Sequence, residues 1–238
     1  EAGGGADVLR AAGVEVVGGV LAEEAAHVNR AWLHAARTGR PFVVWNYAAT
    51  LDGRVAAPDG TSRWISGEES RAEVHRLRAQ VDAVMVGTGT VLADDPELTV
   101  RAADGSRAPR QPLRVVVGSR AVPDGAKVAD QDVAPTRFVD GDLPDVLAGL
   151  HADGVRSVLL EGGPTLAGAM LRAGLVDEVV AYVAPTLLGA GLPAVRTDTR
   201  TLTDGVALEV VDVTRVGPDV RVTARTAPPT TDAPDQEA

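Results

Sequence analysis

SVLLEGGPTLAG, residues 157–168, is the stretch from which the fold can be read. Its apolar run Val158–Leu160 predicts a buried strand that ends in a carboxylate, Glu161. Two glycines and a proline follow, and Thr165–Gly174 (TLAGAMLRAG) has the apolar spacing of a helix closed by a C-terminal glycine. A strand, a tight glycine turn and a helix start let a ligand come against bare backbone. The N–H groups of the first helical turn then face it with partial positive charge, which suits a phosphate. Gly162-Gly163 would serve equally as a plain close connection, so the turn alone leaves both readings open.

On either side of this stretch, strands alternate with helices. Phe42–Thr50 predicts a central strand, Val55–Ala57 a short one, and Ala83–Val86 another that ends in Gly87-Thr88-Gly89-Thr90. Ser66 and Glu69 form a capping-box pattern ahead of a helix over residues 67–80. Asp94-Asp95-Pro96 breaks the chain, Leu98–Arg101 reads as an edge strand, and residues 102–112 read as a surface loop. Leu113–Val117 and Thr136–Val139 predict two more strands, and residues 144–151 a helix. After Gly174, Glu178–Val183 reads as a strand, and Leu208–Thr214 with Val220–Arg225 as a hairpin closing the fold. Such alternation predicts an α/β domain with a mostly parallel sheet covered on both faces. Towards the N-terminus, the pattern predicts a short helix over residues 6–12 and a strand over Val14–Val17. An amphipathic helix over residues 21–38 follows, with Leu21, Ala25, Val28, Trp32 and Leu33 on one face. The Pro-, Thr- and acid-rich residues 227–238 read as a disordered tail.

Composition narrows the chemistry. The chain has 238 residues, 45% of them apolar, enough for one main domain with appendages. Aromatic residues make up 3% and the formal net charge is −10, both of which argue against a nucleic-acid partner. The absence of cysteine excludes disulfides, thiolate metal sites and a cysteine nucleophile. No apolar stretch reaches bilayer-spanning length, so a cytoplasmic protein without a membrane partner is expected. The chain opens at Glu1 rather than methionine, which suggests a piece of a longer protein. His27, His34, His75 and His151 lack metal spacing, and no serine sits in a nucleophile elbow, so no metal is expected. What remains is a set of glycine-marked strand ends: residues 46–53, 87–90, 118–119 and 161–163. In open α/β sheets ligands collect beyond the carboxyl ends of strands, so a large ligand is expected across this edge. The usual G-x-G-x-x-G dinucleotide fingerprint is absent.

Three motifs, NYAATLDGRVAAPDGTSRWIS, VGTGTVLADDPELTVR and LLEGGPTLAGAMLRAGLVDEVVAYVAPTLLG, resemble the reductase domain of the bifunctional riboflavin-biosynthesis deaminase–reductases. The resemblance runs from about Pro41 to Arg225. It implies a dihydrofolate reductase-like fold, a mostly parallel sheet with helices on both faces and a C-terminal antiparallel hairpin. It divides the chain into residues 1–40, the tail of a deaminase-type domain with a linker helix, and residues 41–226, the reductase domain. The zinc signature of the deaminase has no counterpart, so no deaminase activity of its own is expected, although such a domain could precede this chain in nature.

The implied activity is NADPH-dependent reduction of 5-amino-6-(5-phosphoribosylamino)uracil to its phosphoribitylamino counterpart, in a homodimer. Residues matching the family's cofactor contacts are Ala48, Trp64, Thr90, Asp94, Ser119 and the run Gly163, Pro164, Thr165, Leu166, Ala167, Gly168 and Ala169. Those matching its substrate contacts are Ser62, Arg78, Leu98, Arg101 and Glu161. Arg78 and Arg101 suit a ribose phosphate, and Glu161 a substrate amino group or a proton. Ser119 beside Arg120 suits a 2′-phosphate. Where the family is expected to carry a lysine, this chain has Asn46, which can donate a hydrogen bond but cannot carry a charged proton. Asn46 therefore keeps two other readings open: a reductase of the same fold with another substrate, and a non-catalytic cofactor-binding module.

Overall fold

The computed structural model describes residues 4–102 and 104–226. The expected tail, residues 227–238, lies outside them. In chain order the elements are helices α1 (Gly5–Ala11), α2 (Ala22–Val28) and α3 (Arg30–Thr38), strands β1 (Phe42–Thr50) and β2 (Arg54–Ala56), and α4 (Glu68–Gln80). Next come β3 (Ala83–Gly87), α5 (Thr88–Asp94), β4 (Leu113–Val117), β5 (Thr136–Val139), α6 (Leu143–Ala152) and β6 (Ser157–Leu160). The chain ends with α7 (Pro164–Arg172), β7 (Glu178–Ala184), β8 (Leu192–Pro193), β9 (Leu208–Val216) and β10 (Asp219–Thr226).

One eight-stranded sheet has the order β5-β4-β3-β6-β1-β7-β10-β9. From β5 to β7 every pairing is parallel, while β10 runs antiparallel to β7 and to β9. The mostly parallel sheet and the C-terminal hairpin agree with the expected class. Side chains alternate across the pleat. Val43, Trp45, Met85, Val115, Val158 and Leu160 form one apolar layer with Leu147 and Leu150 of α6 and Ala167 and Met170 of α7. Phe42, Val44, Val84, Val86, Val116 and Leu159 form the other, against Ala31 of α3 and Val74 and Leu77 of α4. Strands that bury both faces read as unbroken apolar runs, which is why they were legible.

Four expectations are corrected. Val14–Val17 forms no strand, and α1 and α2 bury none of their residues. The helix expected over residues 21–38 is two helices broken at Asn29, whose Nδ2 donates to Ala25 O. Its apolar face stays open, with Val28 and Trp32 more than half exposed. Leu98–Arg101 is not an edge strand; its extended hydrogen bonding is limited to a bridge between Arg101 and Arg107. The capping box is also absent. The Asp219 carboxylate, at the turn of the C-terminal hairpin, instead accepts Gly67 N–H at 2.7 Å and Ser70 Oγ–H at 2.6 Å. A distant buried carboxylate thus takes the backbone N–H of the N-cap residue Gly67 and the Ser70 hydroxyl at the start of α4. No helix among the described residues is long and apolar enough to cross a membrane.

Candidate active site

Strands of unequal reach create the site. β1 pairs with β6 only as far as Trp45↔Leu160 but with β7 as far as Thr50↔Ala184, so a recess opens where β6 stops. Alternation carries Asn46 and Ala48 to the same face as Val44, and Glu161 to the same face as Leu159. That face is covered by α4, and α4 supplies the partner of Glu161. Arg78 Nε and Nη2 donate to its two oxygens at 2.6 Å each, while Nη1 donates to Thr99 O at 2.9 Å. Their side chains are only 16% and 14% exposed. Burial disfavours charge on Arg78, but Glu161 outweighs it and holds the guanidinium above its usual pKa. Asn46 is buried, and its Nδ2 donates to Val180 O on β7 at 3.1 Å.

On the other side of the recess, Thr90 joins two of the glycine-marked ends: its Oγ1 accepts Gly163 N–H at 3.1 Å. At two of these glycines a side chain would displace the end of a neighbouring one. A Cβ on Gly162 would lie 2.9 Å from Leu166 Cδ2, and one on Gly89 would lie 2.5 Å from Arg120 Nη2. Arg120 follows β4 and lies across the first turn of α5. All four glycine-marked ends border one cavity of about 1120 Å³, at the carboxyl ends of β3, β4, β5 and β6. Small-molecule sites commonly run to about 1,000 Å³, so the cavity has room for a ligand of dinucleotide size.

The structure brings most of the expected residues to this cavity. Asn46, Ala48, Ser62, Thr90, Asp94 and Glu161 line it. So do Gly163, Pro164, Thr165, Leu166 and Ala169. Ser62 Oγ donates to Asp94 Oδ1 at 3.3 Å, which ties the loop after β2 to the end of α5. Arg78 approaches only through Glu161. Ala167 faces the core and is fully buried, while Gly168 backs onto Arg196 O. Leu98 is buried in the α4-side layer with φ 56°. Arg101 pairs with Glu97 at 2.7 Å and donates to Gly105 O. Trp64 is 70% exposed, with the Arg71 guanidinium 4.4 Å above its ring. Ser119 is exposed and does not line the cavity, while its neighbours Gly118 and Arg120 do.

Several lining residues were not anticipated. Tyr47 lines the cavity and stacks on Trp45, with its pKa raised by burial. Asp140 and Gly141 enter from the end of β5. Gly191, Leu192, Ala194 and Arg196 come from the connection between β7 and β9, whose only sequence signal is a scatter of glycines and two prolines.

Comparison with known proteins gives this geometry relatives. The family model of the RibD C-terminal domain matches residues 41–222. Riboflavin biosynthesis protein RibD of Mycobacterium tuberculosis is 52% identical over 221 residues, covering 92% of this chain and 65% of that protein. The chain therefore spans about two thirds of that relative's length. The 2,5-diamino-6-ribosylamino-4(3H)-pyrimidinone 5′-phosphate reductase of Methanothermobacter thermautotrophicus is 41% identical, covering 74% of this chain and 90% of that protein. Among solved structures, Acinetobacter baumannii RibD superposes with a TM-score of 0.84 at 32% identity, covering 93% of this chain and 68% of that one. The strand-end carboxylate, the glycine cradle and the recess between β6 and β1 are thus those of a protein that belongs to the RibD C-terminal domain family.

Proposed function

We propose that this chain reduces 5-amino-6-(5-phosphoribosylamino)uracil to 5-amino-6-(5-phosphoribitylamino)uracil, using NADPH. The observation that carries this reading is the meeting of the Glu161–Arg78 pair and the Thr90–Gly163 cradle in one cavity. NADPH, when bound, supplies a hydride. The chain's own residues do the rest. The N-terminus of α7 and the Arg120 guanidinium, which has no ion-pair partner among the described residues, are suited to its phosphates. Ala48, Thr90, Asp94 and Leu166 shape the space for the remainder.

Glu161 already accepts two hydrogen bonds from Arg78, and its remaining lone pairs are suited to an amino or hydroxyl group of the substrate. This orients the ribosyl carbon towards the cofactor side of the cavity. On opening of the ribose ring, C1′ takes the hydride and the departing ring oxygen takes a proton. Ser62, Arg78, Leu98 and Arg101 complete the substrate contacts in this reading. Arg78 Nη1 on Thr99 O brings the segment carrying Leu98 and Arg101 alongside the pair.

The same reading includes a homodimer in the cytoplasm and an upstream deaminase-type domain ahead of residues 41–226. The exposed Leu208, Val210, Val211 and Val213 of edge strand β9 support the dimer. The exposed Val28 and Trp32 support a further domain over residues 1–40.

A second reading rests on Asn46, whose amide is engaged by Val180 O and cannot deliver a charged proton. In it the cavity holds the cofactor but another substrate, or none, is turned over. NADPH absorbance followed with the ribosylaminouracil phosphate, beside an Asn46→Lys version, separates the two. Turnover by the unchanged chain supports the first; NADPH binding without turnover by either version supports the second.

A further inference from the structure

The connection from β7 to β9 forms the outer wall of the cavity, and little of it packs as regular structure. Its strand β8 pairs with β2 through Arg54↔Pro193 and Ala56↔Leu192. Further on, Arg196 N–H donates to Pro164 O, so the wall reaches across to the first turn of α7. Between these ends it contributes Gly191, Leu192, Ala194 and Arg196 to the lining.

One carboxylate gathers the start of this wall. Asp52 Oδ2 accepts Gly189 N–H at 2.7 Å, and Oδ1 accepts Leu188 N–H at 3.1 Å and Thr50 Oγ–H at 2.6 Å. Backbone bonds flank it: Leu51 N–H to Thr186 O and Ala194 N–H to Gly53 O. Gly191, at φ +129°, seats the wall directly on β2, since a Cβ there would lie 2.1 Å from Ala56 O. Two consecutive N–H groups received by a single carboxylate are charge-assisted bonds, about twice as strong as neutral ones. These same bonds, that from Thr50 foremost, hold the Asp52 carboxyl at about 2.

We propose that Asp52 is a positioning residue for the reduction, holding residues 186–196 as the fixed outer wall and so keeping Arg196 at the cavity's edge. The inference rests on the reductase reading above. Asp52 does not line the cavity; it acts through the wall, so its loss should weaken ligand binding more than it slows the chemical step.

The test compares the unchanged chain with Asp52→Ala and with Asp52→Asn, which keeps the shape and one acceptor. Two measurements are made: trypsin cleavage after Arg196 and Arg200 without ligand, and NADPH affinity by tryptophan quenching with kcat and KM alongside. For Asp52→Ala, cleavage should rise and the NADPH Kd and KM should increase by about tenfold, the scale of one lost charged hydrogen bond. The kcat should change less than about threefold, with Asp52→Asn intermediate. Unchanged cleavage would overturn the anchoring. Faster cleavage with unchanged Kd and KM, or a loss confined to kcat, would overturn the positioning role. Should the unchanged chain not bind NADPH at all, the reductase reading itself fails, whatever the variants do to cleavage.

Discussion

Arg78 and Glu161 are joined by two hydrogen bonds of 2.6 Å across 83 residues of chain, linking α4 to the end of β6. Removing one member of such a pair leaves the other half-buried without its counter-charge. Glu161→Gln should therefore lower turnover by about a hundredfold and destabilise the fold by about 2 kcal/mol, below the value for a wholly buried pair because both side chains keep some solvent. Urea unfolding and NADPH consumption would check it, and full activity in the variant would remove Glu161 from the site.

Asp219 is 1% exposed and supplies the cap that α4 lacks locally. Asp219→Ala should cost about 2 kcal/mol or more, since it strips a helix cap and leaves Gly67 N–H and Ser70 Oγ without their acceptor. Ser66→Ala, by contrast, should cost almost nothing, because Ser66 makes no cap bond. Equal losses from the two substitutions, measured in urea, would contradict the assignment.

Arg114 is fully buried on β4 and donates to the carbonyls of Glu97, Lys127, Asp130 and Ala134. One side chain thereby gathers the loops on both sides of that strand. Arg114→Met fills the space but leaves those carbonyls without a donor, and should cost about 3 kcal/mol or more. Thermal melts that match the unchanged chain would show that water takes over its role.

Gly168 sets helix propensity against a steric limit. Alanine is favoured over glycine within a helix by about 1 kcal/mol, yet its Cβ would lie 1.8 Å from Arg196 O. The clash should win: Gly168→Ala should destabilise the protein and weaken NADPH binding by displacing the Arg196 segment. A gain in melting temperature would show that the segment moves aside freely.

Asp52 also makes a pH prediction. Its carboxyl is held at about 2, against an ordinary value near about 3.9, so it stabilises the fold above the ordinary value. That contribution is lost as pH falls from about 4 to about 2. Asp52→Asn has no such group, so its gap in melting temperature from the unchanged chain should shrink over this window. A gap that stays constant down to pH about 2 would show that the carboxylate contributes no such stability.

Apolar runs were enough to locate β1, β3, β4, β6 and β7, since a strand buried on both faces is apolar almost throughout, whereas β5 is an edge strand with Phe138 exposed. The glycines at 87, 118, 162 and 163 likewise marked where the backbone turns beyond those strands, a local property of residues without a Cβ. Tertiary structure alone decided which strand ends become neighbours, because pairing in the order β3-β6-β1-β7 depends on packing between segments far apart in the chain. It also decided which charges meet. The expected local cap of α4 gave way to Asp219 and the expected edge strand at Leu98 to a buried residue at positive φ, while Arg101 is paired with Glu97. Asp52, legible only as half of an Asp-Gly turn, holds a wall more than 130 residues away along the chain. Local propensity acts over a few residues, whereas a buried carboxylate takes the best donors in space, wherever the chain delivers them.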